Sequence, residues 1–356
     1  MKKIAFIILT VCMMPLFSCS ALIERQFELL DENLEELGDE LDDLGDQLDQ
    51  IGDNIDDTAT TYYYVDNGRN NHKTRIKISK KQISINKNDK LKTRKFDIKD
   101  YNAINVGYSF QVVMCDTVDS VTVRVNEKLD KYLIVKLSGG TLNVSLELIG
   151  GLKSDGSRCG YVYLPFNPKL SSFSLSGTAT FATALPINCS KFNADLAGAT
   201  SFKGKVTCSK CDIDLSGTSR CRTDIKCNSA EIELNGATRL ECNIECTSLN
   251  ADLSGTSKFK GNIKADYINA DLSGASKILV AGTCNRMNAD LSGTSSLDCK
   301  KLRVKKIDGD MSGATSATVT CSESLTMDLT GTSHLIYYGN PKTDIETSIT
   351  ASAERR

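Results

Sequence analysis

The feature that most constrains the fold is an eight-residue motif that returns along the chain with a nearly constant period. The copy at Asn250–Ser257 reads Asn-Ala-Asp-Leu-Ser-Gly-Thr-Ser, and close copies occur from Ser174 to Ser333, most of them at one constant spacing. A fixed period of about 20 residues is typical of solenoids, in which each repeat buries its apolar side by stacking on its neighbours. The residues that precede the turn in successive copies are Leu175, Leu196, Leu215, Leu234, Leu253, Leu272, Leu291, Met311 and Leu329.

Within each repeat, apolar and polar residues alternate before the turn, as in a strand with one buried face. Ile268, Ala270 and Leu272 are predicted to point inward, while Asn269 and Asp271 point outward. Each turn carries a glycine, where a positive φ is expected. The sequence therefore predicts an all-β, single-stranded β-helix (β-solenoid) of about 19 residues per coil, with right-handed coils as the expected hand. After the turn, one inner column is predicted to hold Phe202, Cys221, Leu240, Phe259, Ile278 and Leu297.

Residues 1–18 have the pattern of a secretory signal peptide. Lys2 and Lys3 precede an apolar run from Ile4 to Phe17 that is too short to span a bilayer. Leu16-Phe17-Ser18-Cys19 is similar to a bacterial lipobox, which predicts lipidation of Cys19 and a lipid-anchored tether over residues 19–29. Ser20 follows the cysteine, and the resemblance to sorted lipoproteins then implies an outer-membrane lipoprotein of the cell envelope, facing either the periplasm or the cell surface.

Residues 30–57 carry an acidic heptad pattern. Apolar residues alternate in steps of four and three from Leu30 to Ile55, which predicts a short α-helical coiled coil and hence a possible homo-oligomer. Gly38, Gly45 and Gly52 each cost about 1 kcal/mol of helix propensity, so partner helices would have to supply the stability. The alternative is an amphipathic helix lying on the chain's own solenoid.

The remaining boundaries follow from composition. Residues 58–93 are basic and predict a linker or a hairpin between the runs 75–78 and 82–85. Residues 94–341 form the predicted solenoid domain, whose first strands are irregular and cap it, and residues 342–356 form a C-terminal cap or tail.

A column of carboxylates precedes the predicted turns and is the clearest candidate site. Like charges at strand spacing repel by about 1 kcal/mol per pair in water, so cations or local hydrogen bonds should offset the repulsion. Local hydrogen bonding is the favoured interpretation, and calcium is the alternative. The residues of the candidate calcium ladder are Asp214, Glu233, Asp252, Asp271 and Asp290.

Two further columns have a structural and a functional interpretation. Arg220, Arg239, Lys258 and Lys277 are predicted to lie across the turn from the carboxylates, as a solvated surface or as part of a polymer-binding surface. Cysteines also recur at the repeat spacing, which predicts columns of small packed side chains, with disulfides between neighbouring coils as the alternative. The cysteines at this spacing are Cys189, Cys208, Cys227, Cys246 and Cys284.

Catalysis, a cofactor and a nucleic-acid partner are not expected. The net charge is −2, only His72 and His334 are present, and the sequence contains neither a nucleophile elbow nor a phosphate loop. A polysaccharide-degrading enzyme is the rival hypothesis, with Asp212 and Asp214 as the acid pair.

Several segments together resemble the GIN domain family. They are Arg94-Lys-Phe-Asp-Ile-Lys-Asp-Tyr-Asn-Ala-Ile-Asn-Val, Phe110-Gln-Val-Val, Gly140-Thr-Leu-Asn-Val, the repeated Asp-Leu-Ser-Gly-Thr-Ser units and Tyr338-Gly-Asn-Pro341. Members of that family are described as putative autotransporter-adhesin head domains. The resemblance implies a solenoid-like domain outside the cytoplasm, often on bacterial lipoproteins, with an adhesive role.

The expected function is therefore that of an adhesive or structural binding module in the cell envelope. The expected partners are the membrane, through the lipid anchor, and a glycan or another envelope protein. A glycan-binding module is the alternative within the same class.

Overall fold

The structure is a computed structural model that describes residues 61–66, 73–78, 82–148 and 151–356. The chain divides into two compact units, Met1–Lys81 and Gln82–Arg356. The predicted signal peptide, Cys19 with its tether, and the coiled coil over residues 30–57 all lie outside the described residues. In the described part of the chain, no helix has the length and apolarity needed to cross a membrane.

The described part of the first unit is an antiparallel hairpin of β1 (Thr61–Asp66) and β2 (Lys73–Ile78). The prediction that residues 75–78 pair with residues 82–85 is wrong. Residues 75–78 belong to β2, which forms six residue pairs with β1. The three tyrosines of β1 favour a strand. The run 82–85 contributes β3 (Ile83–Ile85) to the second unit instead, where it pairs in parallel with β10 (Leu152–Ser154).

The second unit is a β-solenoid, as predicted, in which each strand pairs in parallel with the strand one coil later. The pairing Leu253↔Leu272↔Leu291 shows the constant step between coils directly. The strands of the early coils are β12 (Ser172–Leu175), β13 (Thr180–Thr183), β14 (Ile187–Asn188), β15 (Lys191–Leu196), β16 (Ser201–Thr207), β17 (Lys210–Leu215), β18 (Arg220–Lys226), β19 (Ser229–Leu234), β20 (Arg239–Glu245) and β21 (Ser248–Leu253).

In the later coils, longer strands run from the second half of one coil into the first half of the next. The extra residue in the step from Leu291 to Met311 is absorbed by a shift in register between Leu279 and Ala281. The remaining strands are β22 (Lys258–Leu272), β23 (Lys277–Leu291), β24 (Ser296–Met311), β25 (Ser316–Leu329), β26 (His334–Tyr338), β27 (Lys342–Thr347) and β28 (Ser352–Arg355). Residues 342–356 thus add a further coil, because β27 and β28 pair in parallel with β25 and β26.

The predicted inner columns are confirmed. Ile268, Ala270 and Leu272 are buried, and their equivalents in neighbouring coils stack on them in register. The column that runs from Phe202 to Leu297 is also in register and at most 3% exposed. The nine predicted corner glycines all have φ between 67° and 93°. They are Gly177, Gly198, Gly217, Gly236, Gly255, Gly274, Gly293, Gly313 and Gly331.

The N-terminal end of the solenoid is closed by antiparallel strands. Strand β7 (Val121–Asn126) pairs with β4 (Leu91–Phe96) on one side and β11 (Gly160–Pro165) on the other, and β8 (Leu133–Ser138) pairs with β9 (Thr141–Leu146). Ile85 is 1% exposed within this cap, so the compact unit begins at Gln82 and not at the predicted Arg94. The cap consists of β4 (Leu91–Phe96), β5 (Ala103–Val106), β6 (Phe110–Cys115), β7 (Val121–Asn126), a 3-10 helix (Asp130–Tyr132), β8 (Leu133–Ser138), β9 (Thr141–Leu146) and β11 (Gly160–Pro165).

Candidate ligand-binding face

The predicted carboxylates form one continuous outward column, which we call the acidic column. Parallel pairing places each acid directly beside the acid of the next coil, at the strand spacing of about 4.8 Å. The in-register members are Asp195, Asp214, Glu233, Asp252, Asp271 and Asp290. The column includes the whole predicted calcium ladder.

A second outward column lies two residues earlier on the same strands, and the two columns together make up the acidic face. This second column contains Asp212 and Glu231 in two adjacent coils, asparagines in the next three coils, and Asp308 in the coil after them. Asn269 Nδ2 donates to Asp271 Oδ2 over 3.0 Å, and Asn288 Nδ2 donates to Asp290 Oδ2 over 2.9 Å. In these later coils, asparagine side chains of the same strands thus supply hydrogen bonds to the acidic column.

The electrostatic cost of the acidic column appears in its carboxyl pKa values. Burial raises the pKa of Asp214, and the charges of Asp195 and Asp212 raise it further. Burial followed by the charge of Asp290 likewise raises the pKa of Asp271, although the hydrogen bond from Asn269 opposes this. The carboxylates are therefore held together at neutral pH against their mutual repulsion.

Replacing Asp271 by asparagine should relieve this repulsion. We expect Asp271→Asn to raise the free energy of unfolding by about 0.5 kcal/mol at pH 7.5, since like charges on adjacent strands are destabilising. A raised pKa means that the folded state binds protons more readily than the unfolded state. Stability therefore rises as pH falls through the folded pKa, and the advantage of the variant should disappear near pH 4.

Urea unfolding at pH 7.5 and pH 4 measures this effect. The matched control is Asp119→Asn, which removes an exposed carboxylate in the loop between β6 and β7. An equal gain in both variants would contradict a specific repulsion within the column.

Ion pairs form on the other side of the corner between three neighbouring coils, but not on the acidic face. Arg222 Nη2 lies 2.8 Å from Glu241 Oε2, and Lys264 Nζ lies 2.9 Å from Glu245 Oε1. Among the described residues, none of the ion pairs includes a member of the acidic column. The predicted basic column of Arg220, Arg239, Lys258 and Lys277 is in register across the corner. The acidic charges therefore face solvent.

Metal binding by this face needs several oxygen ligands that converge on one point. In the residues that the structure describes, no three histidine, cysteine, aspartate or glutamate side chains are placed to hold one ion. The calcium ladder has the predicted register, and calcium binding stays a prediction.

The comparisons with known proteins bear on this solenoid. The pattern of the family described as "Putative auto-transporter adhesin, head GIN domain" matches residues 100–243 and 228–341. The chain belongs to the GIN domain family. The match includes the corner glycines and the acidic face, and its span agrees with the predicted resemblance. None of the curated proteins matches the chain significantly.

Similar solved structures come from two Parabacteroides species. A "putative adhesin" of Parabacteroides distasonis has 19% identity, with 77% of this chain and 100% of that chain covered and a TM-score of 0.44. A "putative adhesin" of Parabacteroides merdae has 17% identity, with coverage of 77% and 99% and a TM-score of 0.45. A "putative lipid binding protein" of P. distasonis has 18% identity, with coverage of 77% and 100% and a TM-score of 0.42.

Cysteines in this GIN domain stack in register at one edge of the coils. Cys189, Cys208, Cys227 and Cys246 are half-buried or buried free thiols in successive coils. The interaction with the Cys211 thiol lowers the pKa of Cys208, but the bond to Cys227 and burial outweigh it and raise that pKa to about 12. The structure thus agrees with packed columns of small side chains.

A buried column of hydroxyl residues at the corner was missed by the sequence analysis. Several outer hydroxyls of the corner bond to the backbone, as when Ser292 Oγ donates to the Leu272 carbonyl over 3.4 Å. The inner ones are at most 2% exposed, and seven of the eight have no hydrogen-bond partner in the described part of the chain. They are Thr200, Ser219, Thr238, Ser257, Ser276, Ser295, Thr315 and Ser333. Their fixed place two residues after each corner glycine is the signal that could have revealed them.

Proposed function

We propose that this protein is an outer-membrane lipoprotein whose solenoid head is an adhesive or structural binding module. Lipidated Cys19 would anchor the chain, residues 30–57 would form an oligomeric coiled-coil stalk, and the coils of the head would be right-handed. Membership of the adhesin head family supports a role in the cell envelope or at the surface. Sedimentation of lipid-free residues 20–356 tests the stalk, since a monomer at tens of micromolar would exclude it.

The acidic face is the observation that carries the proposal. It presents carboxylates and amides at strand spacing over at least six coils, and no ion pair among the described residues neutralises its acidic column. A regular array of this kind is complementary to a partner that also repeats, such as a polymer, or to a cationic protein surface. Calcium could bridge the face to an anionic glycan by binding carboxylates on both sides.

We further propose that the head is not an enzyme. Solenoid hydrolases use walled clefts, whereas the strands from β15 to β23 repeat at a constant spacing without an insertion that could form a wall. Asp212 and Asp214 lie on an open sheet face, where water has free access and little selectivity is available. Turnover on a broad polysaccharide panel, abolished by Asp212→Asn with Asp214→Asn, would overturn this proposal.

The test of the binding function is an array of glycans and matrix proteins probed with the full chain in detergent. The measurement is made in calcium and again with a chelator. We expect at least one specific ligand, and loss of its binding with chelator would identify a metal-dependent surface.

Two variants locate the binding on the molecule. Asp252→Ala combined with Asp271→Ala removes two neighbouring charges of the acidic column and should weaken binding at least tenfold. Glu241→Ala removes a carboxylate from the opposite side of the corner and should leave binding within about twofold of the wild type. A silent array with folded protein would contradict adhesion through this face and favour a structural spacer.

A further inference from the structure

A cleft of about 390 Å³ opens at the N-terminal end of the solenoid, next to the first coil. Its polar lining comes from Asn105, Asn143, Ser145 and Ser176, and Tyr108 provides an aromatic side. None of the residues that line the cleft is charged. The cleft therefore differs in chemistry from the acidic face.

The cleft exists because two paired strands separate at the corner. Strands β5 and β9 are in register up to Val106↔Val144. Beyond Val106 the segment that follows β5 turns at the corner, whereas β9 continues to Leu146. Gly107 N still donates to the Val144 carbonyl over 3.2 Å, and Tyr108 Oη donates to the Leu146 carbonyl over 2.9 Å. These two hydrogen bonds hold residues 107–108 and strand β9 in place on the two sides of the cleft.

Tyr108 stands where the later coils have their corner glycine. A Cβ atom added to Gly177 would meet the backbone oxygen of Tyr108 at 3.0 Å, so the two corners stack directly. Tyr108 has φ +60°, although it carries a bulky side chain. A tyrosine in this conformation is strained, and such strain is concentrated at functional sites. The first coil thus has a tyrosine in place of the corner glycine, and this tyrosine lines the cleft.

The outward column also changes character here. Pairing places Asp195, Ser174, Asn105 and Asn143 in successive positions, so the acidic column becomes neutral as it reaches the cleft. Asn105 Nδ2 donates to Asn143 Oδ1 over 3.2 Å, which holds the amides side by side. Asn105 Oδ1 and the hydroxyls of Ser145 and Ser176 have no hydrogen-bond partner among the residues that the structure describes.

We propose that this cleft binds one unit of a neutral carbohydrate. Amides and hydroxyls donate and accept as sugar hydroxyls do, and the C–H face of a sugar ring packs against an aromatic side chain. The Tyr108 hydroxyl is already bonded to the Leu146 carbonyl and the half-buried ring packs in part against the core, so the part of the ring that lines the cleft is the surface offered to the ligand. A lining without cations gives an anionic sugar no counterion. The site needs none of the carboxylates of the acidic face.

In the test, cellobiose, maltose, N-acetyllactosamine and glucuronate are titrated into the full chain in detergent, and binding is measured by saturation-transfer NMR. We expect at least one neutral disaccharide to bind in the millimolar range, as suits a short ligand in an open cleft, and glucuronate to bind more weakly. Tyr108→Gly restores the corner glycine, so the fold should be kept while binding falls at least tenfold. Asn105→Ala removes only exposed amide contacts and should also weaken binding tenfold.

Two controls separate this site from the rest of the molecule. Tyr267→Ala removes a tyrosine that is 38% exposed in a later coil and should change binding less than twofold. The pair Asp252→Ala and Asp271→Ala should also leave it unchanged, so failure of the acidic-face proposal would not affect this one. The proposal is overturned if no neutral disaccharide binds, or if one binds equally to the wild type and both cleft variants.

Discussion

Replacing Gly255 by alanine is expected to lower the free energy of unfolding by about 3 kcal/mol. Gly255 has φ +68°, a conformation that costs a residue with a Cβ atom about 1–2 kcal/mol. A Cβ atom would also lie 2.4 Å from the carbonyl oxygen of Gly236 in the preceding coil. Because that oxygen belongs to the backbone of a stacked corner, the neighbour cannot move without disturbing its own coil, and overpacking of this kind costs a further 1–3 kcal/mol or so.

Gly139→Ala provides the matched control. Gly139 also has a positive φ, +56°, but no atom lies within 4 Å of an added Cβ atom. Only the backbone strain remains, so we expect a loss of about 1 kcal/mol. Urea unfolding followed by circular dichroism compares the two variants. Equal losses would show that close stacking of the corners contributes nothing beyond the conformational requirement.

The corners illustrate how much a repeated sequence pattern reveals by itself. The recurrence of Gly255 and its equivalents predicted the positive φ, and the alternation around Leu272 predicted which side chains are buried. Both inferences succeed because every coil repeats the same local signal. The start of the domain at Gln82 was not predictable in this way, since β3 has three residues and its partner β10 lies far along the chain. Short parallel pairings between distant segments leave almost no local pattern.

The buried hydroxyl column was missed for a different reason. A serine such as Ser257, close to a glycine, has the composition of an exposed turn, and composition does not distinguish the inner from the outer hydroxyl. Position within the repeat does distinguish them, because Ser257 directly precedes the outward Lys258 and must therefore point inward. The alternation of the strand after the corner extends back to Ser257, and applying it there would have placed the column correctly.

In two coils, an inner phenylalanine takes up the space that a glycine two residues later leaves empty. Phe202 is followed two residues later by Gly204, and Phe259 by Gly261, whereas Leu240 is followed by Cys242. A Cβ atom on Gly204 would lie 2.7 Å from the Cζ atom of the Phe202 ring. A large residue in one column thus requires a small residue in the next, since a packed interior has no spare volume.

Phe202→Ala is expected to be more damaging than Gly255→Ala, with a loss of about 4 kcal/mol in the free energy of unfolding. The ring of Phe202 lies 4.6 Å from that of Phe173 and 5.4 Å from that of Phe181, between ring centroids. Phe192 is 6.3 Å away. The variant would leave a cavity next to Gly204, where no neighbouring side chain can fill it. The four rings also join the first irregular coil to the regular ones.

This position predicts how the variant unfolds as well as how much stability it loses. In a solenoid, stability is the sum of coil terms and of interfaces between adjacent coils, so a weak interface allows the two sides to unfold separately. We expect the single urea transition to become two, with the cap and the first coil lost before the coils from Arg220 onward. Phe259→Ala is the control, because Phe259 is equally buried but lies within the regular coils, and its effect should be a shift of one transition. A single, shifted transition for both variants would mean that the aromatic cluster contributes core volume without coupling the cap to the solenoid.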